Sequence, residues 1–279
     1  MSVLVTPDWL ANRQKQHPEQ TVVVDVRFSL TEPAAGEKAY KESHIPEAIY
    51  LDLNKDLAGP VQEHGGNHPL PDMTDFAERL GEVGIDQDTT VVIYDQDNDM
   101  FAARLWWLLY YAGHDHAYIL DGGLAAWIKQ GYVVTNKVPV PTVKQFNPFV
   151  RSDEIVQMTE VKEKVNNGSA VLLDSRAKDR YLGKTEPLYA KAGHIPEAKN
   201  YFWKDVLAEN GQWKTIESLQ SHFAAFGKQE EIIVSCGSGV SACPNVLALK
   251  MAGYENVKLY PGSFSDWISY PENKVETQA

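Results

Sequence analysis

The residues with the clearest chemical potential lie in one stretch, EIIVSCGSGVSACPNVLALKMAG, where Cys236 ends an aliphatic run and is followed by Gly237, Ser238 and Gly239. This order predicts a buried strand, a tight loop and then a helix. Glycines allow backbone angles at which successive N–H groups converge into an anion-binding nest. Pro244 suits a first helical turn, and the positive end of that helix would face the cysteine. An ordinary thiol, with a pKa of about 8.5, is mostly protonated at neutral pH, and such surroundings favour the thiolate. A thiolate that attacks a sulfane sulfur becomes Cys–S–S⁻, and the same amides would hold the added anionic sulfur. A soft nucleophile such as cyanide, sulfite or a thiol would then remove it, completing covalent catalysis in two steps. Packing alone, the usual role of a buried free cysteine, does not explain a CGSGVS loop. It does suit Cys243, beyond the loop in the first turn of the helix, for which a resolving thiol is the alternative.

Competing chemistries lack their residues. A cysteine phosphatase needs an arginine six positions after its nucleophile, where Ala242 stands. Gly183-Lys184-Thr185 lacks the earlier glycine of a phosphate loop. The acidic run at 95–99 has Met100 where a calcium loop needs glycine and Trp106 where it needs glutamate. His114 and His116 have no companions at structural-zinc spacing. No metal and no cofactor are expected. The remaining rival is a non-turnover sulfur carrier or thiol-interaction module.

The elements that must position Cys236 are written twice. VVVDVR at 22–27 returns as AVLLDSR at 170–176, and HIPEA recurs at 44–48 and 194–198. TTVVIYD at 89–95 matches EEIIVSC at 230–236, and YYAGHDHAYILDGGLAAW at 110–127 matches KMAGYENVKLYPGSFSDW at 250–267. Four blocks in one order indicate duplication. Each half reads as an α/β unit, with buried strands at Val22–Val24, Val91–Ile93, Val171–Leu173 and Ile232–Val234. Helices are expected at Thr74–Leu80, Ala102–Tyr111, Asp153–Val165, Ile216–Phe226 and Asn245–Met251. Because Asp25–Arg27 and Asp174–Arg176 occur in both halves, they read as loop braces. Trp106, Trp107, Trp127 and Trp267 read as core. The proline-rich 136–150 segment reads as a linker between an N-terminal domain, 1–135, and a C-terminal one, 151–279.

A chain of 279 residues accommodates two such domains, and 43% apolar with 23% charged residues is a folded composition. A net charge of −12 leaves no basic excess for nucleic acid. It does not exclude a small anionic substrate, since salt screens a distant acidic surface beyond about 10 Å. No apolar run approaches the roughly 20 residues of a membrane helix, and MSVLVTPDWL lacks the pattern of a secretory signal. Two cysteines make no disulfide framework, so a reducing cytoplasm is expected.

The paired DVR/DSR and HIPEA segments, DRYLGKTEP at 179–187 and CGSGVSA at 236–242 together resemble the two-domain sulfurtransferases of the rhodanese superfamily. The resemblance spans essentially the whole chain. It implies tandem α/β domains, each with a central, mostly parallel sheet flanked by helices, and only the C-terminal one bearing the nucleophile; Asp95 stands at the matching strand end of the first half. The loop is similar to the CGSGVT of members using 3-mercaptopyruvate, with Ser241 for threonine. Thiosulfate-preferring members carry basic residues there, so 3-mercaptopyruvate is the expected donor and thiosulfate the alternative. A thiol, cyanide, sulfite or thioredoxin would be the acceptor. The resemblance implies a substrate-carboxylate role for Arg180, a proton-relay role for Ser238 and an orienting role for His44, for which the repeat partner His194 makes a structural role the alternative. Gly237, Gly239, Val240 and Ser241 would line the donor. Lys191 would stand in for a second arginine that the family has after TEP and this chain lacks.

Overall fold

A computed structural model of the chain describes residues 3–98 and 100–277; Asp99, from the acidic run, lies outside the described residues, as do two residues at each end. The first half forms β1 (Leu4–Val5), α1 (Pro7–Gln16), β2 (Thr21–Asp25), α2 (Ala35–Glu42), β3 (Ala48–Tyr50), α3 (Met73–Glu82), β4 (Thr90–Tyr94), α4 (Met100–Tyr111), β5 (Ala117–Leu120) and α5 (Gly123–Lys129). The second forms α6 (Met158–Asn166), β6 (Val171–Asp174), α7 (Lys178–Tyr181), β7 (Lys199–Asn200), α8 (Ile216–His222), β8 (Ile232–Ser235), α9 (Cys243–Met251), β9 (Val257–Leu259) and α10 (Ser263–Trp267).

Two sheets result, ordered β1-β5-β4-β2-β3 and β7-β6-β8-β9. Every pairing is parallel. In both, the strand carrying the DVR or DSR aspartate lies beside the one that leads into Asp95 or Cys236. The β-branched runs are buried because helices cover both sheet faces. Local signals set the helix starts: Thr6 caps α1 ahead of Pro7, and Asp72 accepts from Thr74 N and Asp75 N at the head of α3. α4 and α9 are buried on nearly every face, as expected of helices apolar all round. Trp106, Trp107, Trp127 and Trp267 are all buried.

Two helices are shorter than the periodicity predicts. Ile155 pairs with Leu259 as an edge bridge, so α6 starts only after Gln157, which forms a capping box with Glu160. α8 stops at His222 because the Tyr254 hydroxyl takes the carbonyls of Phe223 and Phe226.

The chain divides into two compact units that trade short segments. One holds 1–59, 71–151 and 209–213; the other holds 60–70, 152–208 and 214–279. The 136–150 segment does not stand apart as a linker, because backbone bonds from Lys144 to Gly81 and from Phe149 to Ala112 tie it to the first unit. No described helix is long and apolar enough to cross a membrane.

The repeated motifs do repeated structural work. Arg27 grips Asp25 through Nε and Nη2 and donates to the Ser43 carbonyl; Arg176 does the same to Asp174 and the Gly193 carbonyl. In HIPEA, Glu47 and Glu197 both take left-handed angles, φ 64° and 63°. The preceding histidines stack on Tyr40 and Tyr181, with Nδ1 on those residues' carbonyls.

His114 is buried against Phe146, and neither ring nitrogen has a hydrogen-bond partner among the described residues. Burial, then the neighbouring His116, lowers its pKa. The protonated form is therefore disfavoured by folding: stability is full above the unfolded value of about 6.5 and is lost as pH falls below it. We expect His114→Leu to flatten the decline in melting temperature between about pH 7 and pH 5; curves parallel to wild type would contradict this.

Candidate active site

Cys236 follows β8 at 1% exposure, and its Sγ accepts the Gly239 N–H at 3.1 Å. That short return needs Gly239 at φ +78°, and a Cβ there would lie 2.2 Å from the Pro261 carbonyl oxygen. At Gly237 the neighbour is a side chain rather than backbone: a Cβ would stand 2.4 Å from the Tyr189 hydroxyl and displace it. Val240 is buried and Ser241 half-buried as the loop turns into α9. Cys243 opens that helix and donates to the Gly239 carbonyl at 3.3 Å, a packing contact within the loop.

The loop is held from outside by α10. Ser263 Oγ accepts Cys236 N at 3.0 Å, Phe264 N donates to the Cys236 carbonyl at 3.1 Å, and Ser265 N donates to the Gly237 carbonyl at 2.9 Å. The same helix holds residues 60–70. Asp266 accepts Gly65 N at 2.7 Å, Ser265 Oγ accepts Asn67 N at 3.1 Å, and His64 stacks on Tyr270. One five-residue helix thus sets the nucleophile loop and this strap in a common register.

The strap carries His68, whose Nδ1 lies 2.7 Å from Ser238 Oγ. The histidine on Ser238 is therefore His68, not the expected His44. His44 is fully buried in the first unit, with Nδ1 2.7 Å from the Tyr40 carbonyl and Nε2 3.0 Å from the Lys137 carbonyl. Both ring nitrogens face backbone carbonyls, so neither is left for a hydroxyl.

Arg180 extends from α7 beside the ring of Tyr189, 5.2 Å from its centroid. Its guanidinium is already occupied, with Nη2 at 2.8 and 3.0 Å from the two carboxylate oxygens of buried Glu186. Glu186 also meets Arg176 at 3.3 Å. Burial works against the Arg176 charge, but Asp174, then Glu186 and Cys236, outweigh it and raise the pKa. Tyr189 is raised too, first by burial and then by the negative charge of Cys236, while Arg180 and Ser238 oppose the shift. Lys191 is half-buried in the bend after Tyr189, with no ion pair among the described residues.

His68, Tyr189 and Glu186 join the site without having stood out in the sequence. His68 sits in GGNHPLP, a stretch without a counterpart among the repeated blocks, which is the signal that could have marked it. Tyr189 lies where the chain departs from the family pattern.

The first half has the same frame without the thiol. Leu124 N donates to the Asp95 carbonyl and Ala125 N to that of Gln96, matching Phe264 and Ser265. The Asp95 carboxylate accepts Ala102 N at 3.0 Å in α4. A carboxylate at this position caps a helix and offers no sulfur nucleophile.

Residues 6–130 and 157–270 each match the rhodanese-like domain. The chain belongs to the rhodanese family. It is 39% identical to the probable 3-mercaptopyruvate sulfurtransferase of Pseudomonas aeruginosa, over 98% of both chains. It is 32% identical to the thiosulfate sulfurtransferase of Cricetulus griseus, over 98% of this chain and 94% of that one. The crystal structure of the Escherichia coli 3-mercaptopyruvate sulfurtransferase SseA superposes with a TM-score of 0.83 at 31% identity, covering 95% of this chain and all of that one.

The close approach at Gly239 can be separated from its backbone angle. Gly253 has a similar φ, +86°, and a Cβ there would meet no described residue within 4 Å. We expect Gly253→Ala to cost about 1 kcal/mol in denaturant unfolding and Gly239→Ala at least about 2 kcal/mol. Equal costs would show that the Pro261 contact is not a constraint.

Proposed function

We propose that the protein transfers sulfur from 3-mercaptopyruvate to a thiol, cyanide or sulfite through a persulfide on Cys236. The observation that carries this reading is a buried cysteine accepting a backbone N–H within an uncharged loop, with Arg180 on the same unit. The Cys236 thiolate attacks the donor sulfur. As the new S–S bond forms, the donor C–S bond breaks, and its electron pair stays on carbon as the enolate, which takes a proton to give pyruvate. Ser238 would move that proton, its hydroxyl oriented by His68, whose Nδ1 lies 2.7 Å from it. The acceptor then attacks the outer sulfur, and the S–S electron pair returns to Cys236. No residue of this scheme calls for a metal or cofactor.

Arg180 would bind the donor carboxylate. Its planar fork suits a bidentate grip, and the donor would share or displace the grip that Glu186 holds in the free protein. Because Arg176 and Arg180 are matched by Asp174 and Glu186, the surroundings supply little net positive charge. That favours a mono-carboxylate over dianionic thiosulfate, which is the alternative donor because several relatives are thiosulfate sulfurtransferases. Cys236 and Cys243 are both buried thiols rather than members of a disulfide, which suits a reducing cytoplasm. The physiological acceptor would be a small thiol or a thioredoxin-like protein.

Comparison of kcat/KM for the two donors tests the assignment. A preference for 3-mercaptopyruvate is expected; a clear preference for thiosulfate would overturn it. We also expect Cys236→Ser to abolish transfer and Cys243→Ser to keep most of it. His68→Gln should lower kcat at least about tenfold with little change in melting temperature. His44→Gln should lower the melting temperature by several degrees, since it strips a buried contact, while the folded protein keeps its kcat. The opposite pattern would return the orienting role to His44.

A further inference from the structure

The loop between α7 and β7 places one aromatic side chain directly on the nucleophile loop. A Cβ added at Gly237 would stand only 2.4 Å from the Tyr189 hydroxyl, so the phenol packs against the bare glycine. The ring meets Phe264 of α10 edge-on, with centroids 6.0 Å apart, and the Arg180 guanidinium stands 5.2 Å from its centroid. Tyr189 therefore touches the peptide next to Cys236 on one side and the carboxylate-binding arginine on the other.

We propose that Tyr189 is a specificity-determining residue of this site, its hydroxyl donating to the carboxylate of a mercapto-acid donor that Arg180 also binds. The inference rests on the sulfur-transfer reading. Three covalent bonds separate the sulfur of 3-mercaptopyruvate from its carboxylate carbon. With that sulfur at Cys236, the carboxylate must lie close to the loop. Tyr189 is in contact with the loop, whereas Arg180 approaches from α7 with one carboxylate already on it. A phenol contributes a directional hydrogen bond but no charge. It can pair with one oxygen of a planar carboxylate while Arg180 takes the other, yet it adds nothing toward neutralising a second negative charge. A dianion such as thiosulfate gains little from it. The close fit also explains why the residue after Cys236 is glycine: any side chain there would push the phenol away.

The test is Tyr189→Phe in the full chain, which keeps the ring, its edge contact with Phe264 and its stack with Arg180. Steady-state kinetics with 3-mercaptopyruvate and with thiosulfate, both with cyanide as acceptor, give the readout. We expect KM for 3-mercaptopyruvate to rise about five- to tenfold, the loss of one hydrogen bond to a charged group, with kcat/KM for thiosulfate changed less than about twofold. The ratio of the two specificity constants then falls by about the same five- to tenfold. An equal change for both donors, including none, would overturn the proposal. If the wild-type protein fails to turn over 3-mercaptopyruvate, the donor assignment falls as well, and if it turns over neither donor the sulfur-transfer reading falls with it; a wild type that works beside an unchanged variant removes only Tyr189.

Discussion

The site depends on one contact, the Gly239 amide turned back onto the sulfur of Cys236. A sulfur buried to 1% exposure has lost most of its water, and negative charge there must be met by fixed dipoles instead. Bringing the Gly239 amide back within three residues requires a left-handed backbone and an approach to Pro261 that tolerates no Cβ. Everything around the loop maintains that geometry. β8 fixes where it begins and α9 where it ends, and α10 bonds to backbone groups of Cys236 and Gly237. None of these bonds uses a charged side chain, so the loop keeps its shape while its own charge changes.

Duplication made such a frame available twice and chemistry was placed in one copy. The backbone bonds that cross from the final helix turn to Cys236 and Gly237 reappear at Asp95 and Gln96. The aspartate–arginine braces and the HIPEA turns are likewise shared. What differs is the side chain at the strand end. Asp95 spends its carboxylate on the head of α4, whereas the thiol of Cys236 has only a weak acceptor role and stays available to an incoming sulfur. The repeated motifs are thus structural, and the unrepeated residues, Cys236, Ser238, Arg180, Tyr189 and His68, gather at the site.

That division explains what the sequence made legible. Strands, most helices and the strand–loop–helix about Cys236 follow from local patterns: β-branched runs, capping residues, glycine at a forced angle. The blocks of the repeat carried the topology. His44 misled because a histidine beside a recognisable motif invites a functional role, yet its twin His194 makes the same stacking contact and carbonyl bond. His68 was invisible because its partner is 170 residues away. No periodicity reports that residues 60–70 pack with the second unit. The neutralisation of Arg180 by Glu186 was hidden for a different reason: TEP reads as a turn, and only burial shows its acidic side chain turned inward onto two arginines.

The most direct measurement is the intact mass of the protein after brief treatment with 3-mercaptopyruvate in the absence of an acceptor, followed by peptide mapping. The expected result is a gain of one sulfur atom on the peptide containing Cys236, lost again when cyanide is added. An unchanged mass, or a sulfur placed on Cys243 with Cys236 unmodified, would contradict a nucleophile held ready by the Gly239 amide and the loop it closes.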